Sequence, residues 1–299
     1  LGALPQDTPA LYSLMNYADI KGGTWYPQGG MYAVVEAMYR LALELGVEFR
    51  FGENVNGLMI KGDRAKTVAT NKDFYRADAV ISGADYHFTE TQLLPEECRS
   101  YSEKFWKKKV MAPSCLLYYV GLNKKLSKLQ HHSLFFDVPF ELHGKEIYKT
   151  PKWPTEPLFY VSVSSLTEPA MAPAGCEGIV FLIPVASGLE GDTEELRDKY
   201  FEIIARRMEK HTGESILDAV IYKKSYAVSD FVMDYNSFRG NAYGLANTLL
   251  QTAILRPACH SKKVKNLFYT GQLTVPGPGV PPSLISGEVA ARYLIKKMR

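Results

Sequence analysis

The end of the chain, residues 266–299, holds the residue types and spacing best suited to chemistry. A short apolar segment is followed by a loop rich in glycine and proline, and then by an amphipathic run. Such a loop brings backbone N–H groups and the positive end of a helix dipole to one point, where negative charge is stabilised. An electron-rich cofactor fits this arrangement, and a plain strand–turn–helix connection is the alternative.

The glycines and prolines of this loop have distinct uses. Gly271 ends the apolar segment, where a small residue lets a ligand approach the backbone. Gly277 and Gly279 allow backbone conformations that a side chain would forbid, and Pro281 favours entry into the helix that follows. The start of that helix suits a pyrophosphate or the N1/O2 edge of a reduced flavin. A dinucleotide fingerprint is not satisfied, because Pro282 stands at its last glycine position.

Elements that could support this loop are predicted from hydrophobic spacing. Apolar residues recur at helical intervals from Met31, and Gly46 supplies a stop, so a helix is predicted there. A strand over residues 47–51 is predicted to follow it. Two further segments, 55–60 and 66–70, flank a Lys-Gly-Asp-Arg turn, which indicates a hairpin.

A buried strand is predicted over residues 77–81, and it ends in Ser82, Gly83 and Ala84. Small residues after such a strand let a cofactor pass over its end, and an ordinary turn is the alternative. The succession of helix, strands, hairpin and strand is typical of a mixed α/β domain of the nucleotide-binding kind.

The middle of the chain, residues 86–262, has a different pattern. Helices are predicted over residues 90–109 and 193–210, the second with Asp192 as its N-cap. Strands are predicted at residues 114–121, 158–164 and 179–185. Strands mixed with long helices indicate an α+β domain on the substrate side, inserted into the first domain.

Composition limits the function classes. The 299 residues suffice for about two domains of ~150 residues. A net charge of +3 is too small to favour nucleic acid. The four cysteines are widely spaced without a CxxC pair, which argues against zinc and against a disulfide framework. We therefore expect no nucleic acid, no metal and a reducing, cytoplasmic location.

A basic rim is the feature that bears on membranes. Six lysines bracket an apolar stretch: Lys107, Lys108, Lys109, Lys124, Lys125 and Lys128. A solvated face is the default interpretation, but a basic rim around aromatic residues is also typical of a protein that rests on an anionic bilayer. The apolar runs are all shorter than the ~18–20 residues of a spanning helix.

Several motifs, spread over essentially the whole chain, carry a family resemblance. They are Trp25-Tyr26-Pro27-Gln28-Gly29-Gly30-Met31, the stretch 77–85, the turn 168–176, the segment Gly240-Asn241-Ala242-Tyr243-Gly244-Leu245 and residues 266–287. The most specific of these motifs is residues 271–282, Gly-Gln-Leu-Thr-Val-Pro-Gly-Pro-Gly-Val-Pro-Pro. Together these motifs resemble bacterial-type phytoene desaturases, a family of carotenoid desaturases.

The resemblance implies a flavin amine-oxidase-like fold. Its α/β and α+β parts form a partial FAD-binding domain with an inserted substrate-binding domain. It implies that residues 1–26 belong to the substrate domain and residues 27–85 to the FAD-binding domain. Residues 86–262 then form a substrate- and membrane-binding domain, and residues 263–299 form the C-terminal part of the FAD-binding domain.

The resemblance also implies the residues that bind FAD, and it assigns no catalytic residue. The main chain of Val55 would meet the adenosine end, with Ser82, Gly83 and Ala84 along the same route. Gly271 and Gln272 would lie by the pyrophosphate and ribityl chain. The residues facing the isoalloxazine through their backbone would be Gly277, Gly279, Val280 and Pro281.

The implied activity is FAD-dependent desaturation of a carotenoid precursor such as phytoene, a long apolar polyene, at a peripheral membrane surface. Alternatives are another carotenoid desaturase or saturase, such as a hydroxycarotenoid 3,4-desaturase, and a soluble flavin amine-oxidase-like enzyme. The N-terminal glycine fingerprint of the family has no counterpart here. We therefore expect an N-terminal part to precede Leu1, and a further alternative is that the chain alone holds no FAD and is inactive.

Overall fold

The computed structural model describes residues 2–298, in which short 3₁₀ and π turns connect the longer elements. The strands are β1 (Val55–Lys61), β2 (Arg64–Thr70), β3 (Phe74–Arg76), β4 (Val80–Ser82), β5 (Ser114–Leu122), β6 (His132–Phe135), β7 (Phe159–Ser162), β8 (Glu177–Val185), β9 (Val220–Tyr226) and β10 (Leu267–Tyr269). The helices are α1 (Ser13–Tyr17), α2 (Met31–Glu44), α3 (Tyr86–Phe88), α4 (Glu103–Lys107), α5 (Phe140–Tyr148), α6 (Glu194–Thr212), α7 (Val228–Tyr235) and α8 (Val280–Met298).

The chain forms two compact units, each assembled from segments distant in sequence. The described part of the first unit comprises residues 2–9, 50–113 and 229–298, and the second comprises residues 10–49 and 114–228. These boundaries differ from those of the four predicted segments. The assignment of segments to cofactor and substrate stays a prediction.

In the first unit, β1 and β2 form an antiparallel hairpin to which β3 adds, so the predicted hairpin is confirmed. The turn of the hairpin contains Gly62 with φ of 62°. A second, two-stranded sheet pairs β4 with β10 in parallel register, Leu267 opposite Val80 and Tyr269 opposite Ser82. The predicted strand over 77–81 is therefore shorter and later than expected. An apolar cluster that includes Trp106 and Tyr86 packs between these elements.

The second unit is built on a five-stranded antiparallel sheet in the order β6-β7-β8-β5-β9. Alternate residues of β8 are buried, and they share one apolar cluster with the inward face of α6. The strands predicted near residues 114, 158 and 179 are thus confirmed. The helix is confirmed too, but its N-cap is Thr193, whose hydroxyl accepts from the Leu196 N–H. Asp192 instead pairs with Arg197.

Three other predicted elements had mixed outcomes. The helix predicted from Met31 is confirmed as α2, and the chain leaves it at Gly46 with φ of 82°. The strand predicted over residues 47–51 is wrong: the segment is irregular, and no strand within residues 2–298 pairs with it. The single helix predicted over residues 90–109 is also wrong, because Pro95 interrupts a series of short turns that precede α4.

Candidate cofactor site

The candidate site begins where the parallel strands β4 and β10 end at one edge. The Thr270 N–H donates to the Ser82 carbonyl at 3.0 Å, which continues the pairing of the two strands by one residue. The loops that leave these strands are residues 83–85 and 270–273. Ligands of parallel sheets bind outside such carboxyl ends. The structure therefore brings together two loops that lie far apart in the sequence.

A cavity of about 570 Å³ opens beside this edge within the first unit. It is lined by Gly83, Ala84, Asp85, Tyr86, Phe231, Asp234, Tyr235, Asn236, Ser237, Asn241, Ala242, Thr270, Gly271, Gln272, Leu273 and Ser283. Four of the predicted cofactor-binding residues, Gly83, Ala84, Gly271 and Gln272, are in this lining. A volume of this size accommodates part of a large cofactor or a small ligand.

Small residues keep the strand edge open to a ligand. A Cβ added at Gly83 would lie 3.6 Å from Thr270 Oγ1, and one added at Gly271 would meet no atom within 4 Å. Gly271 has φ of 98°, a conformation that other residues rarely adopt. Its N–H donates to Ser286 Oγ at 2.9 Å, so this N–H is already used inside the protein. The space in front of the backbone fits a flat, bulky group.

Gln272 is fixed on both sides by polar groups. Its amide Nε2 donates to Asn241 Oδ1 at 2.9 Å, and its carbonyl accepts from the Arg256 guanidinium at 3.3 Å. Gly244 passes close behind it: a Cβ there would lie only 2.6 Å from the Gln272 carbonyl oxygen. The backbone of Gln272 is thus held by residues from a distant segment.

The glycines of the tail differ in their surroundings. Gly277 is buried with φ of 131°, and a Cβ there would lie 3.1 Å from Arg256 Cζ. Gly279, with φ of 116°, and Val280 are exposed, and Pro281 lies in the first turn of α8. These four predicted residues lie outside the lining of the cavity, although Ser283 from the same turn is part of it.

The start of α8 offers fewer N–H groups than expected. Pro281 and its neighbour Pro282 carry no N–H, and the Ser283 N–H donates to the Gly279 carbonyl at 2.9 Å. A ligand at this turn is therefore left with the N–H groups of Gly279 and Val280 and with the helix dipole.

The other two predicted residues also lie outside the cavity lining. Val55 begins β1 opposite Thr70 and packs against the apolar cluster of the first unit. Ser82 ends β4, and its buried hydroxyl shares a hydrogen bond of 2.7 Å with Thr89 Oγ1.

Asp85 connects two walls of the cavity. Its two carboxyl oxygens accept from the Phe88 N–H and from the Phe238 N–H, each at 3.0 Å. Burial raises the pKa of Asp85, and the hydrogen bonds from the Phe238 and Phe88 backbone oppose that rise. Burial also raises the pKa of the neighbouring Tyr86 phenol, which therefore stays protonated. Asp85 acts as a structural acceptor in this geometry.

Sequence reasoning missed a whole wall of the cavity. Phe231, Asp234 and Tyr235 on α7 line it, and no motif marked them. Asn241 and Ala242 also line it, and these fall in the 240–245 motif that contributed to the resemblance. That motif was the available signal for this part of the wall.

Comparison with known families identifies the fold around the cavity. The family model described as flavin containing amine oxidoreductase matches residues 2–295. The chain belongs to the flavin-containing amine oxidoreductases. Membership in this family implies a flavin cofactor, and the open edge formed by Gly83, Ala84 and Gly271 fits such a group. The family also agrees with the predicted mixed helix-and-sheet fold of a partial flavin-binding protein.

Relatives within this family are carotenoid enzymes. The chain is 39% identical over 296 residues to the carotenoid 3,4-desaturase of Haloarcula japonica, covering 99% of this chain and 60% of the relative. It is 30% identical over 301 residues to the zeta-carotene-forming phytoene desaturase of Myxococcus xanthus, covering 99% and 57%. The predicted resemblance to carotenoid desaturases is confirmed. The chain spans about three-fifths of the length of these curated relatives.

A solved structure supports the same fold. An oxidoreductase from Methanosarcina mazei aligns with a TM-score of 0.62 at 14% identity, covering 93% of this chain and 58% of that one. Within residues 2–298, no group of three or more His, Cys, Asp or Glu side chains is placed to bind a metal ion. Nor does any helix of that range combine the length and hydropathy needed to cross a bilayer.

Proposed function

We propose that this chain is part of an FAD-dependent carotenoid desaturase that oxidises a C–C bond of a long polyene. The observation that carries the proposal is the cavity at the β4/β10 edge, where Gly83, Ala84, Gly271 and Gln272 meet. The 39% identity to a carotenoid 3,4-desaturase supports the substrate class. Phytoene and carotenoids saturated at C3–C4 are the two substrates to compare.

The residues of the chain hold the cofactor in this proposal. When bound, FAD would accept a hydride from one carbon of the saturated C–C bond, and loss of a proton from the neighbouring carbon would complete the double bond. Gly83 and Gly271 leave room for it against the backbone, and Gln272 offers a polar group whose position Asn241 fixes. The dipole of α8 favours negative charge near its first turn. Gly277, Gly279, Val280 and Pro281 contribute through this turn, and Ser82 and Val55 support the route behind it.

The substrate is recognised by burial of apolar surface rather than by ion pairs, since a polyene carries no charge. Phe231, Tyr235 and Tyr86 give the cavity an aromatic wall. Two acids line the cavity, Asp85 and Asp234, and Asp85 is engaged by backbone N–H groups. The aromatic wall favours a hydrocarbon substrate. A substrate of this kind resides in lipid, so the protein works at a peripheral membrane surface.

The cofactor part is tested by filling the cavity. The complete protein is purified as wild type and as Gly83→Val, and FAD binding is followed by flavin absorbance and fluorescence. The variant places a branched side chain on the strand edge, so we expect at least a tenfold loss of FAD affinity. Gly57→Val is the matched control, because Gly57 lies in a strand with open space around it. Equal affinity in all three proteins would contradict the proposed site.

The reaction is tested with the complete protein, FAD and liposomes that carry phytoene or a carotenoid saturated at C3–C4. We expect products with a longer conjugated chain, detected by chromatography and visible absorbance. Absence of a desaturated product from either substrate would reject the proposal. Oxidation of amines in a parallel assay would support the amine-oxidase alternative instead. The chain of 299 residues, tested alone for FAD binding, decides whether it is inactive by itself.

A further inference from the structure

One loop of the first unit exposes aliphatic side chains to an unusual extent. Residues 248–255 form two short 3₁₀ turns, Leu249–Gln251 and Ala253–Leu255. Leu249 is 68% exposed, Leu250 75% and Ile254 92%. An exposed leucine alone is ordinary, but three such side chains within six positions form a patch that calls for a partner. We call residues 248–255 the aliphatic loop.

Hydrogen bonds made by its central residue hold the aliphatic loop in place. Gln251 is buried, and its Oε1 accepts from the Val110 N–H at 3.0 Å. Its Nε2 donates to the carbonyls of Val110 and Ala246 at 2.8 and 3.1 Å. Gln251, at the centre of the loop, therefore serves as the anchor, and the aliphatic residues on either side of it are exposed.

Exposed basic residues lie close in the chain to Val110, the partner of this anchor. Val110 follows Lys107 and Lys108, which are exposed at the end of α4. The exposed Arg239 extends toward them, with its guanidinium 3.5 Å from the Lys107 carbonyl. Aliphatic side chains next to cations match the interface of an anionic bilayer, where acyl chains lie beneath negative headgroups. An apolar protein partner would not need these cations.

We propose that the aliphatic loop inserts into the surface layer of an anionic phospholipid bilayer while Lys107, Lys108 and Arg239 contact the headgroups. The inference rests on the proposed function in one respect: a lipid-resident polyene requires its enzyme to reach the bilayer. It goes further by naming the surface that makes the contact and the charge of the lipid.

The experiment measures binding of the purified chain to vesicles by sedimentation, without FAD or substrate. Vesicles of phosphatidylcholine alone are compared with vesicles that contain about a third phosphatidylglycerol. We expect binding to the anionic vesicles and at least a tenfold loss of affinity in Leu250→Ser/Ile254→Ser. Leu134→Ser/Ile221→Ser is the matched control, because these residues of the second unit are 65% and 62% exposed, and it should stay within twofold of wild type.

A second variant tests the contribution of the lysines to vesicle binding. The variant Lys107→Gln/Lys108→Gln should bind the anionic vesicles at least tenfold more weakly than wild type. Its affinity for vesicles of phosphatidylcholine alone should be no higher than that of wild type. All substitutions lie at exposed positions, so thermal unfolding by circular dichroism should stay close to wild type.

Several results would overturn the inference: no binding to either vesicle, equal binding by the loop variant and wild type, or loss only when Val35 and Leu45 in and beside α2 are changed to Ser. Because the assay contains neither flavin nor polyene, its failure leaves the cofactor and product tests of the proposed function unaffected.

Discussion

The two units of the molecule fix their central segments by different forces. In the second unit, α6 lies on the sheet through apolar side chains such as Phe201, Ile204 and Met208, which are nearly or fully buried. In the first unit, the cavity is held in shape by polar groups: Asp85 binds two backbone N–H groups, and Arg256 and Asn241 bind Gln272.

The difference follows from what each region does. Apolar packing stabilises a fold through close contact between side chains, so open space between them weakens it. A cavity needs walls that stay apart, and directional hydrogen bonds can hold backbone at a set distance without filling the gap. We therefore expect substitutions in the second unit to act through lost volume and those at the cavity to act through geometry.

The largest effect should come from the apolar region. Ile204→Ala removes a fully buried side chain from the cluster between α6 and the sheet. We expect a loss of about 2–5 kcal/mol in the free energy of unfolding, because transfer and cavity terms add. Urea titration followed by circular dichroism measures it. Met38→Ala on α2, where the side chain is 41% exposed, is the control and should change stability by about 0.5 kcal/mol or less. Similar losses in both variants would refute the contrast.

The next effect should come from the wall of the cavity. Gly244→Ala puts a Cβ 2.6 Å from the Gln272 carbonyl oxygen in a residue with φ of 73°, so Gln272 must shift. Left-handed strain and overpacking together predict a loss of about 2–4 kcal/mol.

The matched control for this substitution is Gly213→Ala. Gly213 has φ of 72° and no atom within 4 Å of its would-be Cβ, so only the backbone strain applies, about 1–2 kcal/mol. Urea unfolding of both variants separates strain from the clash. If the two losses are equal, Gln272 is free to move and the polar account of the cavity is wrong.

A polar cluster in the second unit challenges the comparison. Asp137 accepts hydrogen bonds from Arg207 and His211 of α6. Burial opposes ionisation of Asp137, but the bonds from Arg207 and His211 lower its pKa to about 2. A pKa below that of the unfolded chain, near 4, means that the stabilisation is complete above about pH 4 and is lost as the pH falls toward 2.

Because solvent screens this partly exposed carboxylate, Asp137→Asn should lower the free energy of unfolding by about 1.5 kcal/mol at pH 7. Wild type and variant should converge as the pH falls from 4 to 2, which urea titrations at several pH values will show. Glu202→Gln is the control on the same helix, since the ion pair of Glu202 with Arg206 is exposed. This substitution should change the free energy of unfolding by about 0.5 kcal/mol or less. A gap between wild type and Asp137→Asn that persists at pH 2 would exclude the ionised carboxylate as the cause.

Two helices show what could be predicted from sequence. The spacing of apolar residues predicted α2, and an N-cap signal predicted α6, because both signals depend only on neighbours in the chain. Six residues of α6 are buried, whereas α2 has none. Periodicity identifies the apolar side of a helix but not the surface that covers it. The strand predicted over residues 47–51 failed for a related reason, since a strand needs a partner for its hydrogen bonds.

The candidate site was predictable in part for the same physical reason. Local residue types marked Gly83, Ala84 and Gly271 as places where a backbone could meet a cofactor, and the family resemblance added Gln272. Their supports could not be predicted, because the hydrogen bond between Gln272 and Asn241 joins residues 31 positions apart. Nothing in the sequence around α7 distinguished its wall of the cavity from an ordinary amphipathic helix.

The smallest effect should come from Asp85→Asn, which keeps the shape of the side chain and one accepting oxygen. The loss of one of its two backbone hydrogen bonds predicts a decrease of about 1 kcal/mol. Burial raises the pKa of Asp85 above the value in the unfolded chain, so its contribution is complete at low pH and declines as the pH rises through the folded pKa. The stability difference between wild type and variant should therefore be largest below about pH 4, the pKa of the unfolded chain, and shrink as the pH rises through the folded pKa, as measured by urea unfolding. A difference that grows with pH would show that the ionised carboxylate is the stabilising form, and the cavity would then be held by charge rather than by neutral hydrogen bonding.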